Sequence, residues 1–361
     1  MTSTLAIETS CDDTSLGIVR RDGQAFVVDQ LMAYSQVPDH QAYGGVVPEI
    51  ASRLHSEQII KVLSALDSQL IENVDTISVT THPGLPGSLV VGKTVAHMLA
   101  EWHHKPLIEL NHIHGHIFSL LLERDLNEIE FPMVVLTASG WHNDIYLIEK
   151  TDSRQPDSSI ELEWTVQHCW PFTIQKLGQT LDDAAGECFD KVSRMLGGPY
   201  PGGVWISEHA KKYSESETHD ESQKVTFKRI FLSKEWFNFS FSWMKSQVSI
   251  LTRKREEDNI PLTEDLICAV AYEFQEAVVE VLAKKLIKAG RAYGAKTLWI
   301  SGWVSANDRL FEYANELLKE KKAKDNLILA ERILTPTKKI YSTDNAAMIG
   351  VAGILQSTSI F

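Results

Sequence analysis

Three of the chain's 13 histidines fall within five residues, in Asn111-His112-Ile113-His114-Gly115-His116. On a helix, His112 and His116 stand one turn apart on the same face, so both imidazoles can reach one ion, while His114 points elsewhere. Two imidazoles need one or two oxygen ligands to complete such a site. The pattern is not HExxH: no Glu follows His112, so the general base of that zinc-peptidase motif is missing. Taken alone, the pair reads more simply as surface or core histidines.

Five further segments carry chemistry-bearing residues. Thr9-Ser10-Cys11-Asp12-Asp13-Thr14 offers hydroxyls, backbone N–H groups and two carboxylates at one tight turn, which could hold a phosphate or its metal. In Asp182–Lys191, the spacing of Asp183, Glu187 and Asp190 predicts one acidic helix face. The glycines between Gly197 and Gly203 would let backbone pass close to a ligand. Ser139-Gly140-Trp141-His142 and Ser301-Gly302-Trp303-Val304 are twin strand-to-turn motifs, a setting that suits a phosphate. Their Trp residues are the wrong type for that role, since an indole able to bury about 150–250 Å² would occupy ligand space. Each segment also has a bland reading: a polar hairpin turn, a solvated face or a surface loop.

The elements that must position these residues alternate between strand and helix. Residues 4–7 and 16–19 read as a hairpin around the Thr9–Thr14 turn. Helical spacing covers 49–71, strands cover 75–80 and 106–109, and helices cover 90–101 and 111–123. After Pro132 the pattern starts again, with strands at 133–137 and 144–148. Polar stretches at 153–159 and 214–223 read as loops. A long helix is expected over 263–289 with Thr263 as N-cap, then a strand at 298–301 and a helix at 308–318. The repeated strand–turn–strand unit predicts an α/β fold of two similar lobes, with ligands in the cleft between them.

Composition bounds the function. At 361 residues, two domains are expected. Against 35 Lys and Arg stand 48 Asp and Glu, a net charge of −13. Phosphate affinity rests on cations, so nucleic acid binding would need a basic partner or a local patch, such as 224–229 or 253–255. Four scattered cysteines without CxxC suggest neither disulfides nor a thiolate zinc site, and point to a reducing, cytoplasmic setting. No apolar run reaches about 18 residues, so no membrane association is expected.

Together these segments resemble one family along nearly the whole chain: the universal tRNA N6-adenosine threonylcarbamoyltransferases, in their bacterial or organellar form. The resemblance rests on Ile7-Glu-Thr-Ser-Cys-Asp-Asp-Thr14, Gly44–His55, Pro83-Gly-Leu-Pro-Gly-Ser-Leu89 and the His112/His116 pair. It continues through Thr180–Lys191, Tyr200-Pro-Gly-Gly203, Phe239-Ser-Phe-Ser242, Val304-Ser-Ala-Asn307 and Thr343-Asp-Asn345. It implies the two-lobed fold of actin, sugar kinases and chaperone ATPases, with duplicated mixed sheets flanked by helices. The lobes would span 1–128 and 129–344, the last helix (345–361) joining the first. The implied reaction moves threonylcarbamoyl from threonylcarbamoyl-adenylate to N6 of the adenosine beside the anticodon, in tRNAs reading codons that begin with A, and releases AMP. Matched motif by motif, the ligands of a divalent ion are His112, His116 and Asp344, with Fe(2+) expected ahead of Zn(2+) although the donor set suits both. The adenylate would meet Thr137, Ala138, Ser139, Gly140, Trp141, Asp190, Gly203 and Asn307. Asp12 and Glu8 fall where the family has acidic residues near the reacting group, and Asp12 is the candidate base. The implied partners are tRNA, an inactive paralogue and a P-loop ATPase. A metallopeptidase and a non-catalytic nucleotide-binding scaffold are the competing readings.

Three positions depart from the family pattern in one direction. Trp141, Trp243 and Trp303 stand where the pattern has glycine. Glycine, at 20 residues, is below the usual share of about 7%, and Trp numbers 9. UGA codons that mean glycine in the source, read as Trp, would produce this substitution, and Trp205 and Trp299 could share it. Smaller departures are His82 in place of a loop glycine, His114 and Asn143.

Overall fold

The structure is a computed structural model that describes residues 2–140, 142–150, 166–169, 171–216, 224–229, 237–325, 330 and 332–357. Trp141 and the expected loop at 153–159 lie outside the described residues.

The first sheet contains β1 (Ser3–Glu8), β2 (Asp13–Asp22), β3 (Ala25–Ser35), β4 (Thr76–His82) and β5 (Leu107–Asn111), in the order β3-β2-β1-β4-β5. β1–β2 and β2–β3 are antiparallel, whereas β1–β4 and β4–β5 are parallel. The second sheet contains β6 (Met133–Ala138), β7 (Asn143–Lys150), β8 (Val166–Cys169), β9 (Phe172–Gly178), β10 (Thr297–Ser301) and β11 (Ile333–Leu334). Its order is β11-β10-β6-β7-β9-β8, with parallel pairing at β11–β10–β6 and antiparallel pairing beyond. With β8 set aside, the two sheets repeat one topology, as the duplicated hairpins predicted. The third strands, β3 and β9, were not legible: β3 alternates poorly because most of it is half-exposed at a sheet edge.

The helices are α1 (Val37–His40), α2 (Pro48–Ser64), α3 (Ser68–Asn73), α4 (Pro86–His103), α5 (His112–Phe118), α6 (Ala185–Met195), α7 (Gly202–Glu215), α8 (Ser242–Glu257), α9 (Glu264–Ala292), α10 (Asp308–Asp325) and α11 (Ala346–Ser357). The stretch at 49–71 is two helices: α2 ends at Ser64, and Asp67 starts α3 by accepting from the Gln69 N–H. Thr263 caps α9 through the Leu266 N–H, as its position predicted. The polar stretch at 214–223 begins inside α7, which the sequence reading missed.

Three apolar cores hold the layers together. Leu5, Ile7, Ile77 and Val79 pack under α2 and α4. Phe189, Phe274 and Leu282 lie in the core of the second sheet's helical side. The third core runs through both sheets: α11, buried along its described length, joins Ile113 and Phe118 of α5 to Val135, Phe172 and Trp299 of the second sheet. Trp299 is fully buried and donates to the His116 carbonyl at 3.4 Å. A glycine there would leave an indole-sized void, so Trp299 does not share the glycine reading.

The candidate active-site cleft

Corresponding loops of the two lobes are built alike. The β1–β2 turn is held by the loop after β4: the Leu85 N–H donates to the Ser10 carbonyl, and a Cβ on Gly84 would lie 2.6 Å from that oxygen. The β6–β7 turn is held by the loop after β10: a Cβ on Gly302 would lie 2.4 Å from the Ala138 carbonyl. Gly302 has φ +83, a left-handed conformation that favours glycine.

Asn111 ends β5 and caps α5, its side chain accepting from the Ile113 N–H at 2.8 Å. The cap starts the helix at His112 and puts His116 one turn later, with the two rings edge to face at a centroid separation of 4.7 Å. Asp344 arrives from more than 200 residues away. Asn345 folds its loop, donating to the Thr343 carbonyl at 2.7 Å and accepting from the Met348 N–H at the start of α11. Asp344 Oδ1 lies 3.4 Å from His112 Nε2 and 3.1 Å from His116 Nε2. The ligand atoms of the three residues all lie within 4.8 Å of one another. Both buried ring nitrogens of His116 lack a hydrogen-bond partner, because the contact to Asp344 is close without being aligned. Two imidazole nitrogens and one carboxylate oxygen, one nitrogen orphaned, fit a cation.

Glu8 stands behind His112. It is fully buried, its Oε1 accepts from the Ser10 N–H at 2.5 Å, and its Oε2 accepts from the Thr80 hydroxyl. The same Oε2 lies 3.1 Å from His112 Nδ1, which is also 3.1 Å from the Ser10 hydroxyl. Its contacts run to His112 rather than to the cleft. Sequence reasoning singled out neither Ser10 nor Thr80 here, since nothing in the spacing of a strand names the buried partner of its hydroxyl.

Burial pulls the His112 imidazole down, but the carboxylates of Asp344 and Glu8 outweigh it and raise the group to about 10. Burial raises the Asp344 carboxyl, yet His112 and His116 hold it well below its usual range. Asp12 is raised by burial, and Asp13 is raised to about 7 by burial beside Asp12. Without a cation, the positive charge that these carboxylates call for comes from a proton on His112.

The second lobe supplies the opposite wall. Asp190 accepts from the Gly202 N–H at 2.6 Å, and burial, with Asp12 a further contributor, raises it to about 6. Tyr200 feels both Asp12 and Asp190. Asp183 precedes α6 and pairs with Lys191 and Lys245, so the expected Asp183/Glu187/Asp190 face does not form. Thr137 and Ala138 are buried in β6, leaving their backbone as what a ligand could meet. The Ser139 N–H closes the turn onto the His142 carbonyl at 2.9 Å. Asn307 is spent internally, donating to Gln275 and Ser207 and accepting from the Arg309 N–H. The hydroxyls of Thr9, Ser10 and Thr14 likewise meet Ser88, His112 and His55, so the expected phosphate cradle at that turn does not form from side chains. Gly203 faces Trp303.

Comparison with known proteins now decides the family. The family model described as TsaD, tRNA N6-adenosine threonylcarbamoyltransferase, matches residues 30–161 and 167–351. The chain belongs to this family. The tRNA N6-adenosine threonylcarbamoyltransferase of Thermosipho africanus is 38% identical over 352 residues, covering 97% of this chain and 92% of its own. That of Staphylococcus aureus (strain MRSA252) is 36% identical over 352 residues, covering 97% and 90%. Among solved structures, T. kodakarensis HypF superposes with a TM-score of 0.56 at 12% identity, over 99% of this chain and 48% of HypF, a likeness of fold alone. This TsaD-family chain is therefore a transferase of tRNA modification on the two-lobed actin-like fold. Among its described residues, no helix is long and apolar enough to cross a membrane.

Proposed function

We propose that the chain transfers threonylcarbamoyl from threonylcarbamoyl-adenylate to N6 of the adenosine beside the anticodon, in tRNAs reading codons that begin with A. The N6 nitrogen forms the new bond to the carbamoyl carbon, the bond from that carbon to the phosphate oxygen breaks, and AMP leaves with the electron pair. The observation that carries this reading is the convergence of His112, His116 and Asp344 in a chain of this family. These three would hold a divalent ion, Fe(2+) ahead of Zn(2+), which when bound acts as a Lewis acid on phosphate or carbamoyl oxygens.

The chain's own groups then have distinct tasks. Asp12, raised by burial, takes the N6 proton. Glu8 acts through His112 rather than on substrate: accepting at Nδ1 leaves Nε2 facing Asp344. Asp190 receives the ribose hydroxyls, and the backbone from Thr137 through Gly140, with Gly203, lies along the adenylate. Asn307 supports that wall through Gln275 and Ser207. An inactive paralogue and a P-loop ATPase would supply the cationic surface that a charge of −13 lacks, in the cytoplasm. The basic stretch at 224–229 contributes less than expected, because Arg229 is committed to Glu273 and Glu280.

The test is reconstitution. The chain is mixed with tRNA, ATP, threonine, bicarbonate, the adenylate-forming enzyme and the helper proteins, and the digested tRNA is read by nucleoside mass spectrometry. Threonylcarbamoyladenosine should form from the chain carrying Trp141→Gly, Trp243→Gly and Trp303→Gly, and vanish when His112→Ala or Asp344→Ala is added. Undiminished product from both variants would refute the reading.

A further inference from the structure

Three glycines on three different elements turn their bare Cα atoms toward one side chain. A Cβ at Gly140, in the β6–β7 turn, would lie 3.1 Å from Trp303 Nε1. One at Gly186, in the first turn of α6, would lie 2.6 Å from Trp303 Cζ2. One at Gly203, in the first turn of α7, would lie 2.7 Å from Cζ3 and 3.2 Å from Cη2. The indole thus lies in a slot whose walls are glycine backbone, and any other residue at Gly186 or Gly203 would close it on the ring. The slot borders a groove of about 680 Å³ that Gly203, Ser207, Tyr272, Gln275 and Asn307 also line, a size that suits a small ligand.

The indole is held there by the chain behind it. Gly302 is pressed onto the Ala138 carbonyl in a left-handed conformation. Val304, the next residue, is buried in the core of the second lobe. With both neighbours fixed, the backbone at residue 303 stays in place, and the ring leaves the slot only by rotating about its own side-chain bonds.

We infer that Trp303 is an internal plug of a purine slot: its fused bicyclic ring takes the flat space between Gly140, Gly186 and Gly203 that the adenine of an adenylate occupies when residue 303 lacks a side chain. This rests on the reading that the Asp190–Gly203 wall receives an adenylate. A purine matches the indole in outline and flatness, and a pyrimidine fills only part of the same space. The side chain at residue 303 therefore sets whether this chain binds adenine nucleotides at all.

The test is equilibrium binding of AMP, with CMP as the size control, to the full chain and to its Trp303→Gly and Trp303→Ala variants, with thermal melts to verify folding. The expected result is an AMP dissociation constant weaker than about 1 mM for the unaltered chain. In either folded variant it should be at least tenfold tighter, with CMP gaining less. Equal AMP affinity in the unaltered chain and a folded variant overturns the plug and leaves the nucleotide reading standing. AMP bound by no version overturns the nucleotide reading and the plug together. Micromolar binding by the unaltered chain overturns the plug even if neither variant folds.

Discussion

Replacing Glu8 with Ala tests the metal cluster from behind. Its carboxylate accepts from the Ser10 N–H, the Thr80 hydroxyl and His112 Nδ1, all in a site closed to solvent. His112 keeps the Ser10 hydroxyl at 3.1 Å, so the substitution orphans two groups, the Ser10 N–H and the Thr80 hydroxyl. At about 1–3 kcal/mol for each buried unsatisfied group, stability should fall by about 2–6 kcal/mol. The second effect falls on the ion. Losing the carboxylate that orients a ligating histidine weakens metal binding by about 10–100-fold, or about 1.4–2.7 kcal/mol. Glu8→Gln keeps an oxygen for His112 and should lose less metal affinity than Glu8→Ala. Competitive chelator titration with Zn(2+), and with Fe(2+) under anaerobic conditions, reads the affinity, and denaturant unfolding reads the stability. A folded Glu8→Ala chain with undiminished metal affinity would refute the orienting role.

The remaining predictions are shorter. Asp190 is raised to about 6, above its ordinary value of about 3.9, so the folded chain holds a proton there that the unfolded chain has lost. The cost of ionising it is absent below about pH 4 and complete above about pH 6, so stability falls as pH rises through that window. Asp190→Asn, whose amide oxygen can still accept from Gly202, should remove that slope and stabilise the chain above pH 6 by about 2–3 kcal/mol at most. Unfolding curves of identical pH slope would sink the assignment. The source gene should carry UGA at codons 141, 243 and 303; any other Trp codon at these places ends the glycine reading. The chain alone should bind tRNA weakly, and less as salt rises; tight binding at physiological salt without partners would contradict the charge argument.

Much of the frame was legible because local patterns carry it. The hairpins at 4–19 and 133–148 announced two copies of one unit, and the sheets share one topology. Thr263 marked a helix start with a side chain that meets its expected N–H group, whereas the Asn111 cap emerged only in the structure. The edge strand β3, the inner strand β9 and the helix α7 were missed, because half-exposed elements lack a clean apolar period. Trp243 meets its surroundings well, donating to the Ser240 carbonyl at 3.0 Å, so its departure from the family pattern does not show as strain.

Residue types and spacing alone determined the His112/His116 pair, the acidic balance and the duplicated α/β plan, since each depends on neighbours within a few turns of chain. Folding alone decided that Asp344 meets the histidines, that Glu8 backs His112 instead of facing the cleft, and that Trp303 fills a slot of glycines. These facts are contacts between segments far apart in sequence, and such contacts come from how sheets and helices pack, which no local period records.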